Sequence, residues 1–217
     1  MRYSVLLWDL DGTLTDSKEG ITLSVQYALS QLDYPVPKVD DLDWVIGPPL
    51  KESFKTLLQT TDEELLNRAI ISYRERYEER GLYESIVYPG IPELLGQLKE
   101  KGCRHLLATS KPRVFAERIL KHFLLDPYFS VIMGSELNGT FAEKDALIAE
   151  VLKKVPGVLR TKTVMIGDRW YDVHGARANH IEVISVGYGY GTAEELRVAA
   201  PDYIVPSVRD LKELLLS

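Results

Sequence analysis

The sequence predicts an α/β fold: a doubly wound parallel sheet as the core, with a smaller all-helical segment inserted after the first strand. Three observations predict it. Short apolar runs rich in β-branched residues recur at 3–8, 104–108, 131–133, 163–166, 183–186 and Tyr203–Val205. Most read as continuous hydrophobic stretches, as expected of parallel strands covered on both faces. Helical patterns lie between them, which is the alternation that builds crossover units. Between the first run and the second, only helical patterns occur.

Taken in order, the first strand ends at Asp9-Leu10-Asp11-Gly12-Thr13. Ile21, Val25, Ala28, Leu29 and Leu32 then mark one amphipathic helix. Pro35, Pro37 and the turn Gly47-Pro48-Pro49 separate it from a short helix around Leu50–Leu58. Leu66, Ile70, Tyr73 and Tyr77 mark a long one, and Tyr88-Pro89-Gly90 turns the chain back toward the sheet. Residues 16–85 are therefore expected to form the helical domain, and 1–15 with 86–217 the α/β core. In the second half, Ile91, Leu94, Leu95 and Leu98 share a helix face. Ile148, Val151, Leu152 and Val155 share another, and Val208, Leu211 and Leu215 a third.

A chain of 217 residues is long enough for one such core and a smaller partner domain. Its hydrophobic and charged fractions, 45% and 27%, are those of an ordinary globular protein. A net charge of −6 argues against broad nucleic-acid binding. It does not exclude an anionic substrate, because a metal and one or two lysines can reverse the local sign. Cys103 is the only cysteine, so no intramolecular disulfide can form. No signal-peptide-like run precedes the first strand, and no apolar run reaches membrane-spanning length. The expectation is a cytoplasmic protein with neither a membrane nor a nucleic-acid partner, acting as a monomer or homodimer.

Four strand ends or helix starts carry chemistry. Asp9 and Asp11 follow the first apolar run, where open α/β sheets hold ligands. Two such charges close together call for a cation or a shared proton; a polar turn is the plain alternative. Ala108-Thr109-Ser110-Lys111-Pro112 ends a second strand in hydroxyls, which serve equally well as caps of the next helix. Lys144 opens a helix, where its charge opposes the helix dipole, although alone it reads as a solvated charge. Gly167-Asp168-Arg169-Trp170-Tyr171-Asp172 ends another strand in an acid, and its second acid lies one helical turn on.

In this order, the four segments resemble the signature of the haloacid dehalogenase-like (HAD) hydrolase superfamily: DxDGT, then Ser/Thr, then Lys, then GDxxxD. No position of that signature is missing. The resemblance implies a Rossmann-like core, and the helical insertion is similar to the C1 cap of that superfamily. DGTLTDS, the Gly47-Pro48-Pro49 turn, the TSKP segment and the closing Gly189-Tyr190-Gly191 look most like the phosphoglycolate-phosphatase-type branch.

That resemblance implies a Mg²⁺-dependent phosphomonoester phosphatase for a small soluble phosphorylated metabolite, phosphoglycolate-like. It implies Asp9 as the nucleophile, forming an aspartyl-phosphate that divides one hard hydrolysis into two steps. Asp9 and Asp168 would supply side-chain ligands to Mg²⁺, Asp11 its backbone carbonyl, and Asp172 support through water. The Asp11 side chain would then act as general acid and base. Thr109 and the Ser110 backbone N–H would bind phosphoryl oxygens, and Lys144 would offset charge on them and on Asp9. Gly47, in the cap turn, would help set specificity. Arg169 and Trp170 read either as rim or as packing residues, and Lys111 and Arg113 as further contacts to an anionic substrate. His105, His122, His174 and His180 have no metal-ligand spacing.

Rival activities of the superfamily separate on a few positions. Dehalogenases lack the second acid, and phosphonatases replace it with Ala; here it is Asp11. Mutases related to β-phosphoglucomutase carry a cap histidine shortly after the first motif, whereas the first histidine here is His105. A 5'-nucleotidase or pyrophosphatase on the same scaffold stays open. From a different class, so does a catalytically idle binding module, whose usual sign is loss of a motif residue.

Overall fold

The computed structural model describes residues 1–217. In chain order the elements are β1 (Val5–Trp8), β2 (Thr15–Asp16), α1 (Lys18–Gln31), α2 (Leu50–Leu58), α3 (Glu63–Arg76) and β3 (Ile86–Val87). These are followed by α4 (Ile91–Glu100), β4 (Arg104–Pro112), α5 (Arg113–His122), β5 (Phe129–Ser135) and α6 (Lys144–Lys153). The last third holds β6 (Thr163–Gly167), α7 (Trp170–Ala178), β7 (Glu182–Val186), α8 (Ala193–Ala199), β8 (Tyr203–Val205) and α9 (Val208–Leu216). The chain divides into two compact units, Met1–Asp16 with Val87–Ser217, and Ser17–Ile86. No helix is long and apolar enough to cross a membrane.

The larger unit is the predicted doubly wound sheet: six strands in the order β5-β4-β1-β6-β7-β8, every pair parallel. Chain connections run outward from β1 in opposite directions, toward β4 and β5 on one side and toward β6, β7 and β8 on the other. Loops leaving the C-terminal ends of β1 and β6 therefore diverge and open a crevice. β1 is buried along its whole length, which explains its unbroken apolar run. Its alternate residues serve two apolar layers. Val5 and Leu7 join Leu106, Met165 and Val183 beneath Leu147 and Ile148 of α6 and Val173 of α7. Each such aliphatic side chain taken from water contributes roughly 1.5–3 kcal/mol.

One edge strand, β8, has its expected span of Tyr203–Val205, whereas the other departs from it. β5 spans Phe129–Ser135 instead of 131–133, and is only half-buried over most of its length. One of its sides has no strand neighbour, so its hydrophobic signal is diluted by polar residues.

The opposite layer holds a polar pair. The Trp8 indole N–H donates to His105 Nδ1 at 3.0 Å, and His105 Nε2 lies 3.1 Å from the Leu95 carbonyl. The ring is therefore neutral, with its proton on Nε2. Burial lowers its pKa from the ordinary 6.5 to about 4. Between those two values the unfolded chain binds the proton and the folded chain does not, so acid favours unfolding. This histidine should remove about 3 kcal/mol of stability as pH falls from 6.5 to about 4. Denaturant melts of His105→Gln should show a shallower acid slope than wild type in that window; equal slopes would refute the assignment.

In the smaller unit, α1 packs against α3 and the turn after it. The periodicity predicts one helix through Tyr77, but α3 ends at Arg76 and a single π-helical turn, Tyr77–Gly81, continues it. The reason is a backbone contact: a Cβ on Gly20 would lie 2.0 Å from the Gly81 carbonyl oxygen. Widening the helix brings Gly81 against α1 and lets Arg76 make paired bonds of 2.8 and 2.9 Å to Glu84. Tyr73 and Tyr77 stack, their ring centroids 5.2 Å apart.

Candidate active site

The first acidic residue is placed by the sheet. The Asp9 backbone N–H donates to the Ile166 carbonyl of β6 at 2.9 Å, extending the β1–β6 ladder by one residue. The chain then turns tightly: Gly12 N–H bonds Thr15 O at 2.7 Å and Leu14 N–H bonds Leu10 O at 2.9 Å. Gly12 sits at φ +80°, and a Cβ there would lie 2.1 Å from Asp168 Oδ2. Glycine serves here twice, by tolerating the left-handed conformation and by leaving room for the carboxylate.

Asp9, Asp11, Thr109, Lys144, Asp168 and Asp172 are all buried at this crevice, within the larger unit. One carboxylate oxygen from each of Asp9, Asp168 and Asp172 falls within 4.8 Å of the others. Lys144 meets this cluster from the first turn of α6, with Nζ 3.0 Å from Asp9 Oδ1, 2.8 Å from Asp172 Oδ1 and 3.0 Å from the Ala108 carbonyl. Those contacts explain a lysine at a helix start. Burial alone would lower its pKa, but Asp172 and Asp9 more than offset that and hold the ammonium above its ordinary value.

Asp172 has two tasks. Its Oδ1 faces Lys144, and its Oδ2 accepts the Arg169 backbone N–H at 3.1 Å at the start of α7. Burial pushes its carboxyl up to about 6, with Lys144 pulling against that shift.

Asp168 is the least satisfied of the acids. Its Oδ2 accepts the Tyr190 backbone N–H at 2.7 Å, while its fully buried Oδ1 has no partner. Burial, and then the charges of Asp172 and Asp9, push this carboxyl well above the usual range. A buried carboxylate oxygen without a donor is costly unless a cation meets it. Oxygen donors of this kind suit a small divalent ion, so the residues present fit Mg²⁺.

Asp11 stands apart from the trio. Lys111 Nζ lies 2.9 Å from Asp11 Oδ1, and both side chains are buried. Thr109 Oγ1 accepts the Lys111 backbone N–H at 3.3 Å, leaving its own hydroxyl proton free to be donated. Ser110 is half-buried, and its carbonyl accepts the Ser135 hydroxyl at 2.8 Å. The remaining candidates separate clearly. Arg169 is buried in an ion pair with Glu195 at 2.8 Å, which is a packing role. Arg113 is exposed and pairs with Glu117 and Glu136. Gly47, at φ +103°, belongs to the smaller unit.

The loop after β7 was legible only as a family likeness, yet it braces the site. A Cβ on Gly189 would lie 2.4 Å from the Gly12 carbonyl oxygen, so two loops touch backbone to backbone. The Tyr188 hydroxyl donates to Thr13 O at 3.0 Å, and the Tyr190 hydroxyl to Asp16 Oδ1 at 2.6 Å.

The haloacid dehalogenase-like hydrolase family model matches residues 6–186, most of the chain and every residue gathered above except the Tyr188–Tyr190 loop. The chain belongs to that family. Among its relatives, this hydrolase is 45% identical to a 5'-nucleotidase from Pseudomonas aeruginosa, over 99% of its own length and 96% of the relative's. It is 39% identical to the tyrosine-protein kinase PtkA of Mycobacterium tuberculosis, over 88% of this chain and 64% of that one. The crystal structure of a predicted phosphatase from Clostridium acetobutylicum superposes with a TM-score of 0.94 at 44% identity, covering 100% of this chain and 99% of that one. Within the family this hydrolase is of the phosphatase type, with both acids of the first motif present.

Proposed function

We propose that the protein is a Mg²⁺-dependent phosphomonoesterase for small soluble esters, nucleoside 5'-monophosphates first, working through an aspartyl-phosphate on Asp9. The observation that carries this reading is the division of the buried acids: Asp9, Asp168 and Asp172 share one cluster, and Asp11 sits on its own lysine. Full-length similarity to a 5'-nucleotidase supports the nucleotide preference. Phosphoglycolate, sugar phosphates and pyrophosphate are the comparison substrates.

Asp9 and Asp168 would hold the ion by their side chains and Asp11 by its backbone carbonyl. Asp172, whose two oxygens are engaged with Lys144 and Arg169, would act through water. When bound, Mg²⁺ supplies positive charge against the repulsion between an anionic nucleophile and an anionic phosphate.

The Asp9 carboxylate attacks phosphorus as the bond to the ester oxygen breaks, and the Asp11 carboxyl passes its proton to the departing alkoxide. The Asp11 carboxylate then takes a proton from the water that attacks the aspartyl-phosphate, which releases phosphate and regenerates Asp9. The Thr109 hydroxyl and Ser110 N–H donate to phosphoryl oxygens. The Lys144 ammonium, already at Asp9 Oδ1, offsets the charge that gathers there.

Ranking kcat/KM across the substrates named above tests the reading. Turnover should require Mg²⁺, and a chelator should remove it reversibly. Saturating Mg²⁺, at about 100 times Kd, should also stabilise the wild-type fold by about 2.7 kcal/mol. Asp168→Asn should lose most of that thermal shift as well as activity. Chelator-insensitive turnover, or ATP-dependent labelling of tyrosine without ester hydrolysis, would overturn the proposal.

A further inference from the structure

We infer that Lys111 is a positioning residue for the reaction: it anchors the carboxyl group of Asp11 away from the Asp9–Asp168–Asp172 cluster and aims it at the ester oxygen. The inference deepens the reading given above and rests on it.

From Leu106 and Val131 to Thr109 and Gly134, β4 pairs in register with β5, but the next pair is Pro112 and Ser135, so Ser110 and Lys111 are extra residues on β4. A bulge of this kind breaks the alternation of side chains and redirects one of them. β5 is shaped to receive it: a Cβ on Gly134 would lie 2.2 Å from the Lys111 carbonyl oxygen and 2.9 Å from the Arg113 nitrogen. The redirected ammonium lies at Asp11 Oδ1, buried, on the strand that also carries Thr109.

Without Lys111, Asp11 would have the same reason as its neighbours to turn toward Lys144, the cation that Asp9 and Asp172 already share. Lys111 therefore divides three acids between two cations, Asp9 and Asp172 on Lys144 and Asp11 on its own ammonium. It acts through the orientation of Asp11 and need not touch the reacting atoms.

Leaving-group dependence tests this. An alkyl phosphate such as a nucleoside 5'-monophosphate needs its departing oxygen protonated, whereas 2,4-dinitrophenyl phosphate does not. Lys111→Met should lower kcat/KM, which reports ester cleavage and not the later hydrolysis common to both esters, by about 30-fold or more on the alkyl ester and by no more than about 3-fold on the dinitrophenyl ester. Lys111→Arg, which keeps the charge and gives a second route to a folded variant, should recover part of the alkyl-ester loss. Equal losses on both esters, as expected of phosphate binding or general structural damage, or no loss at all, would overturn the inference. Asp11→Asn measured alongside separates the two levels. If Asp11→Asn shows the split and Lys111→Met does not, only the role of Lys111 falls. If Asp11→Asn shows no split, the acid–base role of Asp11 falls and takes that of Lys111 with it.

Discussion

Asp9→Asn is expected to abolish phosphate release, by about 10⁴-fold or more, while the variant unfolds within a few degrees of wild type. The change is isosteric and replaces a charged nucleophile with a neutral amide. The backbone bond to Ile166 that places residue 9 is untouched, and Lys144 keeps Asp172 as a partner. Loss of one charge also relieves repulsion on Asp168. Steady-state phosphate release and a thermal melt, read together, check this. Turnover within about tenfold of wild type would show that the phosphoryl group is not carried on Asp9.

Lys144→Met has the second largest expected effect, and it falls on stability as well as turnover. In the absence of divalent ion this ammonium is the only side-chain cation paired with Asp9 and Asp172. Removing one partner of a buried pair strands the other charge, at a cost of about 3–5 kcal/mol. The pH dependence follows from the sign of the shift. The Asp172 carboxyl already lies above its ordinary value by burial, and losing the cation that pulls against that shift raises it further, so the folded state binds more protons. Stability then falls as pH rises through the ordinary carboxylate range and above. The variant should be close to wild type at pH 5 and clearly weaker at pH 8, with Mg²⁺ restoring part of the difference. A uniform deficit at all pH values would instead point to lost packing of the methylene chain against Gly175.

Much of the sheet could be read directly because a strand buried on both faces leaves no alternation to misread: β1, β6 and β7 were visible as apolar runs. At the edges the outcome differs: β8 has its expected span, and β5 is less visible. The sequence shows β5 short because most of its residues meet solvent, and polar side chains are tolerated there. Helix α3 could be followed along its apolar stripe but not to its end, since the π turn depends on the contact between Gly20 and Gly81, sixty-one positions apart. His105 could not be told from a surface histidine; its acceptance of the Trp8 indole N–H depends on the pairing of β1 with β4.

The candidate site divides in the same way. Asp9, Asp11, Thr109, Lys144, Asp168 and Asp172 were named from local sequence, because each closes a strand or opens a helix at the end of the sheet where a crevice must form. Lys111 is one of two cations flanking Pro112, with nothing in the sequence to choose between them. The structure separates it from Arg113, burying one on Asp11 and leaving the other in solvent.

By itself the sequence determined which residue types arrive at that crevice, because strand ends and helix starts are local events. Only the tertiary structure decided how the charges pair: Asp9 and Asp172 with Lys144, Asp11 with Lys111, and Asp168 with one oxygen left open. The physical reason is range. Hydrophobic periodicity is set by nearest neighbours along the chain, whereas the partner of a buried charge depends on which strands the sheet places side by side.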